Sequence, residues 1–332
     1  MAAEPSDTLQ DEDSTRSAAS NTLQREIPSP NRMIMLLLQP PCKWTSEQLE
    51  LARVNAEHCI PSTEFLEGSD DLPDDLFESL AIPFCEVKRA TLLGHNYYRT
   101  TFRAVFFSLR DIAQTSDYDI SPFFLGYLMD KVIEVCRSSL RLVFASKPKI
   151  PFKLPLLSRR PGIKCAGSIT QRRIKGYCST PLVLFSVVKK PCYKRDTTIA
   201  RYEVPQCLIQ AVRAYSRNPY LNAYTAFVVV LNGTRAHVSR ATFSRAYIHG
   251  LYEAYSVNEE MQLSRSESFE LLDQDGRREF MRLLIGVLRY VARSRQSMVA
   301  PPGEKEVCKR TEAVREERAM FEVPKRLAEK AL

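Results

Sequence analysis

The sequence lacks a hydrophobic run long enough to cross a membrane. Its longest apolar stretches, such as Met33–Leu38, are far shorter than the roughly 20 residues that a bilayer requires. Residues 1–30 are polar, with six acids and two bases, whereas a secretion signal begins basic and continues apolar. These absences predict a soluble intracellular protein of the cytoplasm or nucleus, with no membrane partner.

The motifs of metal sites and of nucleotide-binding loops are also lacking. The nine cysteines include no CxxC pair and the four histidines are scattered, so reduced thiols are expected rather than a zinc site. Neither GxxxxGK[ST] nor GxGxxG occurs, and no Ser/His/Asp or Cys/His spacing indicates a catalytic nucleophile. Nucleotide hydrolysis and dinucleotide redox chemistry are therefore disfavoured, and no cofactor is predicted.

The fraction of hydrophobic residues is large enough for a packed core. The chain has 332 residues, of which 44% are hydrophobic and 26% are charged, as in ordinary globular proteins. This length fits one large domain or two ordinary ones.

Charge is divided unevenly along the chain. The formal net charge is +8, yet residues 61–86 carry eight acids and no Lys or Arg. Residues 137–217, by contrast, carry eighteen Lys or Arg against only Asp196 and Glu203. If these cations gather on one surface, as we expect, they would suit a polyanionic partner such as DNA or RNA.

Local patterns predict alternating helices and strands in the basic part of the chain. Ser121 is a natural N-cap and Pro122 suits the first helical position, while Asn232-Gly233 is the preferred two-residue hairpin turn. The predicted elements are helix 121–147, strands 163–169 and 181–190, helix 204–217, and hairpin strands 226–231 and 234–239. This order predicts an α/β or α+β fold with a small central mixed sheet flanked by helices.

The chain as a whole is expected to divide into four regions. Thr45 and Gln48 have the spacing of a capping box, which predicts a helix over 44–58, and further helices are predicted over 96–114 and 276–295. The regions are a disordered acidic tail (1–30), a mainly helical N-terminal region (31–120), an α/β core (121–296) and a charged C-terminal tail or helix (297–332).

Four pieces of sequence carry a family resemblance that covers roughly residues 40–296. They are "KWTSEQLELA", "LFSVVKK", "RYEVPQCLIQAVRAY" and "FVVVLNGTRAHVSRATFSRAYIHGL". In element order and hydrophobic texture the chain resembles the restriction-endonuclease-like core of the PD-(D/E)XK nuclease superfamily. More narrowly, it resembles the nuclease-like domains of fungal hypothetical proteins.

The resemblance implies a set of site residues. In such nucleases an Asp and a Glu on adjacent strands bind Mg²⁺, which activates a water, and a Lys two residues after the Glu holds the water or the phosphate. A Glu on the first helix and a Gln on the later helix often complete the site. Carried onto this sequence, these positions are Lys189 (with Lys190 as the register alternative), Glu134, and Gln206 or Gln210.

Both acidic positions of the motif depart from the family pattern. The motif Glu falls at Val187, and the stretch "GIKCAGSI", where the Asp belongs, contains no carboxylate. The resemblance therefore implies a degenerate, inactive nuclease-like domain that binds DNA or RNA and holds Mg²⁺ only if activity survives. The residues predicted to contact nucleic acid are Arg172, Arg173, Lys175, Lys190, Lys194 and Arg195, with Tyr177 nearby for base stacking.

Each of these residues also has a purely structural interpretation. Lys189 and Lys190 could end a strand in solvent, and Gln206 and Gln210 could be solvated on one helix face. Glu134 could form a salt bridge with Lys131.

Two other functions are compatible with the sequence. One is a protein-interaction scaffold that recruits its partner through residues 303–332, where Glu alternates with Lys and Arg. The other is a live metal-dependent nuclease with relocated carboxylates, for instance Glu134 with Asp196 or Glu203.

Overall fold

The computed structural model describes residues 45–66, 74–94, 100–115, 118–140, 142–151, 162–171, 181–188, 196–252 and 259–298. The tail predicted at 1–30 and the charged segment after Met298 lie outside these ranges. None of the helices in the described part of the chain is long and apolar enough to cross a bilayer.

Helices and strands alternate along the described residues. In chain order they are α1 (Ser46–Leu51), β1 (Val54–Ile60), α2 (Ser62–Phe65), α3 (Asp74–Cys85), α4 (Arg89–Leu93), α5 (Arg103–Thr115), α6 (Ser121–Leu140), β2 (Leu142–Ser146), β3 (Lys149–Pro151), β4 (Gly162–Lys164), β5 (Gly167–Gln171), β6 (Pro181–Val187), α7 (Asp196–Tyr215), β7 (Ala223–Asn232), β8 (Arg235–Ser244), α8 (Arg245–Tyr252), β9 (Met261–Ser266), β10 (Phe269–Glu270) and α9 (Gln274–Met298). The α/β fold predicted from the sequence is confirmed.

A mixed sheet of eight strands forms the centre of the molecule. Its order is β1-β9-β8-β7-β6-β5-β2, with β10 pairing β8 off this path, while β3 and β4 form a separate hairpin. The pairs β1–β9 and β6–β7 are parallel, and the others are antiparallel. The sheet is mixed, as predicted, and it is larger than the small sheet expected because β1, β2 and β9 extend it.

Alternating side chains of the central strands build one apolar core on each face of the sheet. On one face Phe185 and Val229 pack with α6 and α9, and on the other face Leu184 and Val228 pack with α7 and α8. Strands covered on both faces read as nearly continuous apolar runs, which is why "PLVLFSV" and "FVVVL" lack polar alternation. Helices α6 and α7 therefore lie on opposite faces of the sheet.

Two predicted helices end earlier than their sequence patterns indicate. The helix expected over 44–58 keeps its Thr45–Gln48 capping box but ends at Leu51, and Val54–Ile60 pairs with β9 instead. The helix expected over 121–147 ends at Leu140, after which β2 pairs with β5. In both cases hydrogen bonding to a strand distant in sequence overrides the local preference for helix.

The predicted hairpin is present, but its turn lies one residue later than expected. Asn232 pairs with Arg235 in the β7–β8 ladder, so the two turn residues are Gly233 and Thr234. Gly233 has φ 64°, a left-handed conformation that glycine adopts without the steric cost of a Cβ.

A buried arginine fastens the start of α9 to the N-terminal helices. The Arg277 guanidinium donates hydrogen bonds to the carbonyl oxygens of Phe84 and Val87, and to those of Leu271 and Leu272. It also lies 5.6 Å from the ring centroid of Phe106. Together with the pairing of β1 and β9, these contacts join the N-terminal helical region to the same body as the predicted core.

The close packing of β10 on α9 predicts a large effect for one glycine substitution. A Cβ at Gly276 would overlap the carbonyl oxygen of Glu270, whereas a Cβ at Gly126, in α6, has nothing within 4 Å. We expect Gly276→Ala to lower the free energy of unfolding by about 1–3 kcal/mol, because backbone must shift. Gly126→Ala is the matched control, and its helix propensity should raise stability by up to about 1 kcal/mol. Urea denaturation measures both, and equal effects of the two variants would contradict the packing described.

Candidate nucleic-acid interface

The predicted catalytic Glu134 lies on the surface of α6. Its Oε2 is 3.0 Å from Lys131 Nζ, and its side chain is 65% exposed. This is the salt bridge that the sequence offered as the structural alternative. A solvated ion pair of this kind adds little stability.

The predicted glutamines lie in the opposite core and are not solvated. Gln210 donates from Nε2 to the carbonyl oxygens of Gln206 and Phe227, and its Oε1 accepts from the Phe227 N–H. The Gln210 amide therefore pairs with both backbone groups of Phe227, which attaches α7 to β7. Gln206 is also buried, and its Oε1 makes no hydrogen bond to any described residue.

Glu134 and the two glutamines do not converge on one cleft. Glu134 belongs to α6 and the glutamines belong to α7, and these helices pack on opposite faces of the sheet. The remaining predicted site residues lie outside the described residues; they are Lys189, Lys190, Arg172, Arg173, Lys175, Lys194 and Arg195.

The two predicted basic segments attach at opposite ends of β6. Residues 172–180 join the end of β5 to Pro181, at the start of β6, whereas residues 189–195 join Val188 to the start of α7. The seven residues of β6 separate these attachment points by roughly 20 Å. The described residues fix only where these segments leave the sheet, so the gathering of their cations on a single surface stays a prediction.

A buried carboxylate that the predicted site did not include lies between α7 and the sheet. Glu203 is fully buried. Its Oε1 accepts hydrogen bonds from Ser239 Oγ at 2.6 Å and His237 Nε2 at 2.8 Å. Its Oε2 accepts from the Arg265 guanidinium, with Nε at 2.8 Å. Three elements of structure thus meet at one charge, since α7 is tied to both β8 and β9.

The neighbours of Glu203 keep it ionised. Burial by itself raises the pKa of this carboxyl, but the Arg265 charge and the His237 hydrogen bond outweigh burial and lower the pKa to about 2. Ser239 and His237 both bind the carboxylate rather than each other, so the group is not the serine–histidine–acid chain of a hydrolase. The cluster is best described as a buried ion pair with two additional hydrogen-bond donors.

Glu203 is poorly suited to act as a relocated metal ligand. Its two oxygens already accept four hydrogen bonds, and two of these bonds come from the buried Arg265 guanidinium. Within the described ranges, no group of three or more His, Cys, Asp or Glu side chains is placed to hold a metal ion. The residues at the positions implied by the family resemblance therefore do not fit Mg²⁺.

A different basic surface lies at the end of the sheet where β7 begins. Residues 204–252 contain five arginines and no Asp or Glu, a signal that was visible in the sequence. Arg213 lies in the last turn of α7, Arg217 lies two residues beyond its end, and Arg245 is the first residue of α8. Burial lowers the pKa of Arg213, and the adjacent charge of Arg217 lowers it further.

An exposed aromatic ring lies among these arginines. Tyr220 is 49% exposed, and the Arg245 guanidinium carbon lies 5.9 Å from its ring centroid. We use the name Tyr220 surface for the surface formed by Arg213, Arg217, Tyr220 and Arg245. The Glu259 carboxylate accepts a hydrogen bond from the hydroxyl of Ser244, the residue that precedes Arg245. No family model matches this chain and no curated protein matches it either, so its chemistry is inferred from its own residues.

The Glu203 cluster predicts a large loss of stability on removing one charge. Glu203→Gln keeps the shape of the side chain but leaves the Arg265 guanidinium buried without its counter-ion. We expect the free energy of unfolding to fall by about 3–5 kcal/mol, measured by urea denaturation at neutral pH. The matched control is Glu134→Gln, which breaks an exposed ion pair and should cost less than about 1 kcal/mol.

The pH dependence of that difference gives an independent check. The pKa of Glu203 is lowered on folding, so its charge stabilises the fold fully above the ordinary glutamate pKa of 4.5. That contribution is lost as the pH falls towards about 2. The stability difference between wild type and Glu203→Gln should therefore shrink steadily below pH 4.5. A difference that stays constant through this range would contradict an ionised Glu203.

Proposed function

We propose that the chain binds nucleic acid through its phosphate backbone, at the end of the sheet where β7 begins, and does not cleave it. The observation that carries the proposal is the clustering of Arg213, Arg217 and Arg245 at this end, within a stretch free of acids. Guanidinium groups bind phosphate through charge and paired N–H donors, and release of condensed cations drives such binding.

A second basic segment leaves the sheet at the same end. Residues 172–180 connect the end of β5 to the start of β6, and β6 is parallel to β7. The starts of both parallel strands lie at one end of the sheet. The attachment points of the segment that includes Arg172, Arg173 and Lys175 are therefore at the end that carries the Tyr220 surface, which supports the choice of this end.

Within the part of the chain that the structure describes, the lack of suitably grouped carboxylates supports binding without cleavage. The two strand positions that the resemblance assigns to metal ligands hold Val187 and the acid-free strand Gly167–Gln171. Glu203 is bound by Arg265, His237 and Ser239. A metal-dependent nuclease needs at least two hard oxygen ligands at one point.

The element order agrees in part with the order on which the family resemblance was based. Helix α6, strands β5 and β6, helix α7, and strands β7 and β8 follow one another as the sequence indicated, with β2, β3 and β4 between α6 and β5. A similar order of elements is evidence about the fold only, and the function has to be argued from the residues of the site.

Removing charge from one basic segment should test which end binds. The combined variant Arg172→Ala, Arg173→Ala and Lys175→Ala is expected to weaken binding of a fluorescent oligonucleotide. Each lost phosphate contact should reduce the magnitude of the slope of log affinity against log salt concentration by about 0.7–0.9. Fluorescence anisotropy over a salt series, with the full chain and EDTA present, measures both quantities.

The other basic segment provides a control of equal charge. Lys189→Ala, Lys190→Ala and Lys194→Ala together remove the same three charges at the opposite end of β6, and the salt slope should change less. Equal effects of the two combined variants would contradict the choice of end, and no binding of DNA or RNA at low salt would remove the proposal. Nicking of plasmid by the wild-type chain in Mg²⁺ or Mn²⁺, abolished by EDTA, would favour a metal-dependent nuclease with relocated carboxylates instead.

A further inference from the structure

The backbone around Tyr220 is held by hydrogen bonds, although the Tyr220 ring is exposed. Its backbone N–H donates to Asn218 Oδ1 at 3.3 Å, and the Tyr224 hydroxyl donates to the Asn218 carbonyl oxygen at 2.8 Å. The Arg245 N–H donates to the carbonyl oxygen of Asn222 at 2.9 Å. The connection between α7 and β7 is therefore clamped on both sides of Tyr220. A backbone positioned in advance loses little conformational freedom when a partner stacks on the ring that it carries.

The charges around the ring favour a polyanion over an apolar partner. Arg217 and Arg245 are exposed, and the charge of Arg217 is near enough to lower the pKa of Arg213. Like charges at such a distance repel each other, and an anion placed between the two guanidinium groups relieves that repulsion.

We propose that the Tyr220 surface is a stacking subsite for single-stranded nucleic acid. The Arg245 guanidinium lies over one face of the Tyr220 ring, a base stacks on the other face, and neighbouring phosphates contact Arg217 and Arg213. A duplex hides the faces of its bases, so a stacking ring selects unpaired strands. The inference rests on the proposed function and adds the class of nucleic acid and the residue that distinguishes it.

The test separates stacking from charge by using two strands with the same number of phosphates. One probe is a fluorescent oligothymidylate, and the other is an abasic strand of equal length, and both are titrated against the full chain. Tyr220→Leu should weaken binding of oligothymidylate about 5-fold or more, the effect expected for one lost base–aromatic stack. Binding of the abasic strand should hardly change, which also shows that the variant remains folded.

Conservative and distant variants sharpen the interpretation. Tyr220→Phe keeps the ring and should bind both strands as wild type does, whereas Arg217→Gln should weaken both strands equally. The matched control is Phe123→Leu, because Phe123 is 54% exposed beneath Lys147 Nζ at 4.8 Å but lies on α6, on the other face of the sheet. This control should leave both affinities unchanged.

Several results would overturn the stacking subsite while leaving the proposed function intact. They are equal weakening of both strands by Tyr220→Leu, no effect of Tyr220→Leu on either strand, and an effect of Phe123→Leu as large as that of Tyr220→Leu. Competition by poly-glutamate as strong as that by unlabelled oligothymidylate would assign the surface to acidic peptides instead. If wild-type protein binds neither strand at low salt, the proposed function itself fails.

Discussion

The position of α7 depends on the buried charge of Glu203. A buried ion pair loses much of its attraction to the cost of removing both charges from water, so it contributes more to position than to net stability. Here the carboxylate joins α7 to His237 and Ser239 on β8 and to Arg265 on β9. Glu203 fixes the first half of α7 in this way. Because α7 begins at one end of the sheet and runs along it, Arg213 and Arg217 lie at the other end.

The separation of the two cores decides which residues can act together. Side chains that point to opposite faces of a sheet are kept apart by the sheet itself, and this applies to Glu134 on α6 and to Gln206 and Gln210 on α7. Both faces are covered by helices, so groups from different elements approach one another mainly where strands end. The Tyr220 surface has that location, since it combines the end of α7, the approach to β7 and the start of α8.

Local signals in the sequence predicted the elements that depend on local interactions. The β7–β8 hairpin, the apolar strand β6 and the amphipathic helix α9 were all predicted, because a turn or a periodic stripe specifies each of them. Strands β1 and β9 were missed because they pair across some two hundred residues of chain. Glu203 stood out as one of two acids in a basic region, but His237 and Arg265 lie 34 and 62 residues away, so its partners required the fold.

The two electrostatic features of the molecule respond to different conditions. The Glu203 cluster is buried, so dissolved salt screens it weakly, and its charge changes only at acidic pH. The arginines of the Tyr220 surface keep their charge across the pH range in which proteins fold, and exposed charges are screened by salt. Salt therefore screens the charges of this surface without loosening the helix that carries it. Acid has the opposite effect, because it weakens the attachment of α7 while the guanidinium charges remain.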